Sequence, residues 1–283
     1  MAVLTPTART GRPVLRRRAA RPRALTLGPG IGLGVAMIWF SVLVLIPLAA
    51  VVVKASEGGW STYVDTLTNP QTFHAIKLTV VTSILVTALN MVMGTMIAWV
   101  LVRDRFWGKR LLDVVIDIPF AMPTIVAGLI LLSLYGPQSP LSVDVANTQK
   151  AVFLALAFVT LPFIVRTVQP VLEEMEADVE EAAASLGASR FTTLRRIVLP
   201  TLTPAIFAGA ALSFARGVSE YGSLVLLSGN LPNRTEVVSV RVLSYLEGGN
   251  PGEAAATATI MLLVALLAIV ALDVVQRKVA NRG

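Results

Sequence analysis

Six long apolar runs alternate with short polar segments along the chain. They fall at about 31–54, 75–102, 111–135, 151–172, 202–228 and 254–276. Each is near the roughly 20 residues that a helix needs to cross a hydrocarbon core of about 30 Å. Apolar helices of that length satisfy their backbone groups internally, as lipid requires. The pattern predicts an all-α, polytopic membrane protein with six transmembrane helices. Pro47 kinks the first run, which neighbouring helices can tolerate.

One polar segment differs from the rest. Residues 173–200, between the fourth and fifth runs, read as amphipathic rather than as a plain loop. Leu172 to Leu186 is rich in Glu, Ala and Leu and lacks Gly and Pro, so it predicts a helix. Gly187 supplies the stop, because glycine takes a positive φ without a Cβ clash. A second short helix is expected over Arg190 to Leu199, and Pro200 is expected to turn the chain sharply into the fifth run. Ala182, Ala183 and Ala184 present small side chains that another protein can approach closely.

Composition agrees with a membrane class. The 283 residues are 55% hydrophobic and 14% charged, with a mean hydropathy of +0.73. The net charge of +7 points to nucleic acid, to anionic lipid or to orientation in a membrane, and its distribution decides. With both termini in the cytoplasm, inner segments carry eighteen Lys and Arg, Arg166 among them, against five in outer segments. That bias obeys the positive-inside rule and leaves nothing for a nucleic-acid role to explain. Residues 1–30 are expected to be a disordered basic cytoplasmic tail, 31–278 the transmembrane domain, and 279–283 a short cytoplasmic tail. The first run is too long for a cleavable signal core. With no cysteine, thiol redox chemistry and thiolate metal sites are excluded.

The order of residues in the amphipathic segment carries a resemblance. It reads Glu-Ala-Ala, three residues, Gly, nine residues, Ile, one residue, Leu-Pro, at Glu181, Ala182, Ala183, Gly187, Ile197, Leu199 and Pro200. This resembles the EAA loop of membrane subunits of binding-protein-dependent ABC importers, where the segment is a coupling helix inserted into a cleft of the ATP-hydrolysing subunit. A solvated loop would explain the charges but not the order. Pro119 to Leu129 (PFAMPTIVAGL) and Pro162 to Glu174 (PFIVRTVQPVLEE) are similar to the T-type permeases of sulfate and thiosulfate importers, over about residues 30–278. Molybdate and tungstate permeases share the loop and much of the fifth helix.

Several polar residues lie within or beside the apolar runs. Asp113 and Asp117 are four apart, on one helix face. Asp117, the deeper, reads as a partner for polar groups of a neighbouring helix or as a pathway residue. Pro119 and Pro123 are expected to bend this span, and Thr124 can hydrogen-bond at the break. Arg216 and Glu220 are one helical turn apart in the fifth run. They read either as a pathway for an anion or as a self-neutralised structural pair. Oxyanion permeases usually show Leu-Gly-Glu-Phe-Gly here, whereas this chain has Val218, Ser219, Glu220, Tyr221 and Gly222. Arg216, Glu220, Ser219 and Thr124 are the pathway candidates. His74, the only histidine, reads as interfacial. Arg234 and Glu236 either meet a binding protein or hold water.

The chain lacks a GxxxxGK[ST] phosphate loop, an HExxH pair and a complete GxSxG elbow. No cofactor, metal site or catalytic residue is expected. The resemblance implies a permease subunit at the plasma membrane that passes sulfate or a related oxyanion inward, with ATP hydrolysed elsewhere. Its implied partners are a second homologous permease, two ATP-binding subunits and an extracytoplasmic sulfate-binding protein. An ion-coupled secondary carrier is the competing class; it would use Asp117, Arg216 and Glu220 as relays and has no need of the EAA order.

Overall fold

The computed structural model describes residues 27–175 and 177–280, and every described secondary-structure element is helical. Among the described residues, five helices are long and apolar enough to cross a membrane, or six if one bent pair counts as a single span. The chain divides into two compact units at Leu48. In the first unit, helix runs from Leu27 through a π-helical stretch, Ser41–Leu45, and its large apolar side chains are exposed from Ile31 onward. Helix therefore starts four residues before the expected start of the first span. Residues 1–26 of that tail lie outside the described residues.

In the second unit, α1 (Gly59–Thr68) leads to α2 (Pro70–Arg103). Asn69 caps α2, its Oδ1 accepting from the amides of Gln71 and Thr72 at 3.0 and 3.1 Å. With Pro70 as the first helical residue, the helix begins five residues earlier than expected and His74 lies one turn inside it. Helix α5 (Gln149–Glu174) packs along α2, and α7 (Arg190–Val218) packs on both. Ala98 and Leu101 of α2, Ile164, Val165 and Val168 of α5, and Val198 and Leu202 of α7 form one buried core. Helix α10 (Pro251–Ala280) lies against α7. The outward faces remain apolar, as lipid-facing surfaces must.

Three expectations change. The third span is not one helix: α3 (Lys109–Ala121) and α4 (Thr124–Tyr135) meet at 117°. Met122, forced out of the helical region by the proline after it, is extended at φ −105°, ψ 148°, and Pro123 is the N-cap of the next helix. Pro119 stays inside α3. Pro200 makes no turn. The helix runs through it, because a π-helical stretch at Leu194–Val198 widens the turn just before it, with the Leu199 amide reaching back to Leu194 O. The expected fifth span also ends early, at Val218, and a short helix, α8 (Gly222–Leu227), follows the break. Helix α9 (Val238–Glu247) then precedes α10.

Candidate functional site

Two places where a helix breaks gather the residues singled out above. At the first, the helix expected over Leu172 to Leu186 is broken: α5 runs on to Glu174, and Met175 is extended. A short helix, α6 (Ala177–Ser185), follows; by chain order it lies between α5 and α7. Arg103, the last residue of α2, holds the corner. Its Nη2 donates to Met175 O at 3.0 Å and its Nε to Glu180 Oε1 at 2.9 Å. The carbonyl freed by the break is thus satisfied by a side chain 72 residues away in sequence.

The expected stop at Gly187 is present. Its φ is +82°, its amide donates to Ala184 O, and the Ala188 amide donates to Ala183 O at 3.0 Å. This is a Schellman closure. Ser189 then caps α7 through the Thr192 amide. Leu186 is 89% exposed and Phe191 70% exposed, one on each side of the glycine. Together with Trp99, Arg103 and Glu181, Phe191 lines a hollow of about 720 Å³ between the end of α2, α6 and the start of α7. Glu181, Ala182, Gly187, Leu199 and Pro200 are exposed, Ile197 is half-buried, and Ala183 is buried against its own chain. The open small face of α6 therefore belongs to Ala182 and Ala184. Leu186 and Phe191 escaped the sequence reading; the signal was an apolar residue on each side of a glycine in a polar surround.

The second break lies between Val218 and Gly222. Glu220 is outside the helix, and its side chain is fully buried. Oε1 accepts from the Ser223 amide and from Ser223 Oγ, both at 2.9 Å, and so caps α8. Oε2 lies 2.8 Å from Arg216 Nη2 as an ion pair, although the angle falls outside hydrogen-bonding geometry. The Glu220 carbonyl accepts from Ser239 Oγ of α9 at 2.7 Å. One residue therefore joins α7, α8 and α9. Arg216, by contrast, is one-third exposed along its side chain.

Ser219 is exposed and its hydroxyl returns to Arg216 O at 3.1 Å. Tight packing is not required there. The tight position is Gly222, where a Cβ would come within 2.8 Å of the Ile125 amide of α4. Thr124 is thereby brought against α8 at Gly222, but it makes no hydrogen bond to Arg216 or Glu220. Arg216, Glu220 and Ser219 form one cluster, and Thr124 stands beside it.

Asp113 and Asp117 of α3 share one partner on α5. Arg166 donates from Nε to Asp117 Oδ1 and from Nη1 to Asp113 Oδ1, both at 2.7 Å, and from Nη2 to the Asp113 carbonyl. Arg166 thus acts as a clasp between helices. Its signal was a lone arginine in an apolar run opposite two aspartates at i and i+4. Glu236 is 3% exposed and accepts from Gln71 Nε2 at 2.7 Å, so it ties its loop to α2 and does not face outward; Arg234 is exposed. Among the described residues no group of three or more His, Cys, Asp or Glu is placed to hold a metal.

Residues 90–282 match the family described as binding-protein-dependent transport system inner membrane component. The chain belongs to that family. The chain is 38% identical over 271 residues to the sulfate transport system permease protein CysT of Salmonella typhimurium, covering 93% of this chain and 98% of the relative. The protein of the same name from Escherichia coli is 37% identical with the same coverage. A probable sulfate transport system permease protein from Nephroselmis olivacea is 42% identical over 85% of this chain and 87% of its own. Among solved structures, a chain of a bacterial alginate ABC transporter, in complex with a pentasaccharide-bound periplasmic protein, superimposes with a TM-score of 0.72 at 17% identity. The match covers 89% of this chain and 94% of that one. A chain of the MetNI methionine ABC transporter gives 0.54 at 15% identity, covering 74% and 94%. Both likenesses concern the fold. The family match spans both breaks, from before Arg103 to beyond Glu236.

Proposed function

We propose that this component is the membrane-spanning permease subunit of an ATP-driven sulfate importer of the plasma membrane. The observation that carries the substrate is the relatives: proteins named for sulfate transport align with 85–93% of the chain at 37–42% identity. Thiosulfate fits the same chemistry. The partners are a second homologous permease, two ATP-binding subunits and an extracytoplasmic sulfate-binding protein. Both termini and α6 face the cytoplasm, consistent with the distribution of Lys and Arg.

The coupling surface is Glu181, Ala182, Ala183, Gly187, Ile197, Leu199 and Pro200, with Leu186 and Phe191 as its apolar contacts. An exposed leucine and phenylalanine beside a rigid glycine stop, flanked by a hollow, is a surface made to be covered. When nucleotide closes the ATP-binding subunits, α6 moves with them. Arg103 transmits that motion to α2, and α7 follows through its continuous helix.

The path for the anion runs past Arg216, with Ser219 beside it and Glu220 and Thr124 supporting it. Arg216 has donors beyond the one facing Glu220, and the buried carboxylate lowers its attraction for a dianion. That balance suits a path, where binding must favour entry and still permit exit.

The test is reconstitution. Vesicles holding this chain, the second permease and the ATP-binding subunit, supplied with the sulfate-binding protein and ATP, are expected to accumulate labelled sulfate. Uptake by this chain alone on an ion gradient would overturn the reading in favour of a secondary carrier.

A further inference from the structure

A cavity with a basic rim lies away from both breaks. It lies between α2 and α5, at the end of α5 remote from α6, and measures about 450 Å³. Its rim is basic: Lys77 and Lys150 line it with His74, and no Asp or Glu does. Among the described residues neither lysine has an ion pair or a side-chain hydrogen bond, whereas Lys54 pairs with Glu57 at 2.6 Å. His74 Nε2 is shielded from solvent and has no hydrogen-bond partner. A shielded polar nitrogen left unmet calls for a missing partner. Lys150 is also the second residue of α5, so the positive pole of a 26-residue helix opens on the same rim.

Below the rim the cavity changes character. Val81 and Leu85 of α2, 46% and 55% exposed, continue the face begun by His74 and Lys77, and Phe153 of α5 forms the other wall. From His74 to Leu85 the face descends about 16 Å at the helical rise. A free oxyanion would engage the rim and leave this trough empty, whereas an amphiphile with an anionic head and an acyl tail uses both.

We propose that the cavity binds one anionic phospholipid. Its phosphate is held by Lys77, Lys150 and His74, and an acyl chain lies along Val81, Leu85 and Phe153. The lipid joins the outer parts of α2 and α5, two of the three helices on which the bundle is built. The proposal does not depend on sulfate being the cargo.

Native mass spectrometry of the chain purified from membranes with its co-purifying subunits tests it, after delipidation and titration with phosphatidylglycerol or phosphatidylcholine. The expected result is one phosphatidylglycerol per copy of this chain, held about thirtyfold more tightly than phosphatidylcholine, as two lysines near a lipid surface would give. A Lys77→Gln/Lys150→Gln double variant is expected to lose that preference, and Leu85→Gln to weaken retention of the lipid. Lys54→Gln is expected to change neither. Equal retention of the two lipids, or an unaltered preference in the double variant, would overturn the proposal. So would displacement of the lipid by millimolar inorganic sulfate or phosphate, the mark of a free-oxyanion site. A preference seen in the isolated chain but absent with its co-purifying subunits would overturn it too, because another subunit would then cover this face.

Discussion

The corner at Met175 and the break at Glu220 answer the same problem, a helix that stops beside a membrane, in opposite ways. At Met175 the freed carbonyl is met from another helix by Arg103, and the next turns leave Leu186 and Phe191 in the open. At Glu220 the break is met from within. A fully buried carboxylate caps α8 and faces Arg216, while its own carbonyl ties to α9. The first region leaves large apolar side chains uncovered by its own chain; the second is already complete. A surface that waits for a partner tolerates substitution in folding but not in function, whereas a buried junction fails in both.

The most damaging test of this contrast is Glu220→Ala. It removes the cap of α8 and leaves the buried Ser223 amide and hydroxyl without their acceptor, so about 1–3 kcal/mol of stability is expected to go, as when a buried donor loses its partner. Thermal unfolding in detergent and the yield of assembled complex read the loss. Glu220→Gln keeps an acceptor for Ser223 and is expected to fold better than the alanine variant while still lowering uptake. Wild-type melting of Glu220→Ala would mean that the junction is not held from within.

Gly187→Asp should act oppositely. Holding a side chain at a φ of +82° costs about 1–2 kcal/mol, and the helices fold regardless. Insertion is expected to be normal, with loss of co-purifying ATP-binding subunit and of uptake; normal co-purification and uptake would break the comparison. A smaller effect is expected of Arg103→Gln. Without the donor to Met175 O, the segment around α6 should open more often, giving a several-fold rise in proteolytic cleavage between Met175 and Gly187 without a change in melting. Arg234→Ala, an exposed position, should change stability by less than about 0.5 kcal/mol, while Glu236→Ala, which strands Gln71, should cost more.

The spans were legible because apolar length is a direct consequence of bilayer thickness, and the stop at Gly187 because few residues accept its backbone. The breaks were less so. Met175 sits in a run of good helix formers, and only Arg103, distant in the chain, makes a stop there acceptable. Glu220 was read as a helical neighbour of Arg216 at i+4; the pairing is present, yet the helix ends at Val218. A carboxylate that caps the next helix leaves the same spacing in sequence as one that continues the last. Pro200 misled because the π-helical stretch that accommodates it carries no composition of its own. Asp117 reads in the sequence as a structural partner for a neighbouring helix, but its mate, Arg166, is hidden there because the charge count places it with the cytoplasmic residues.

The proposed coupling surface beside Gly187 docks on a separate ATP-hydrolysing subunit. Because the chain has no cysteine, Leu186→Cys gives a unique, exposed thiol at that surface; Ala183, buried against its own chain, would report poorly. Cross-linking from Leu186→Cys in membranes containing the whole transporter is expected to capture the ATP-binding subunit in high yield, with a yield that changes when nucleotide is added. Failure to capture it, in membranes where uptake is intact, would contradict the account.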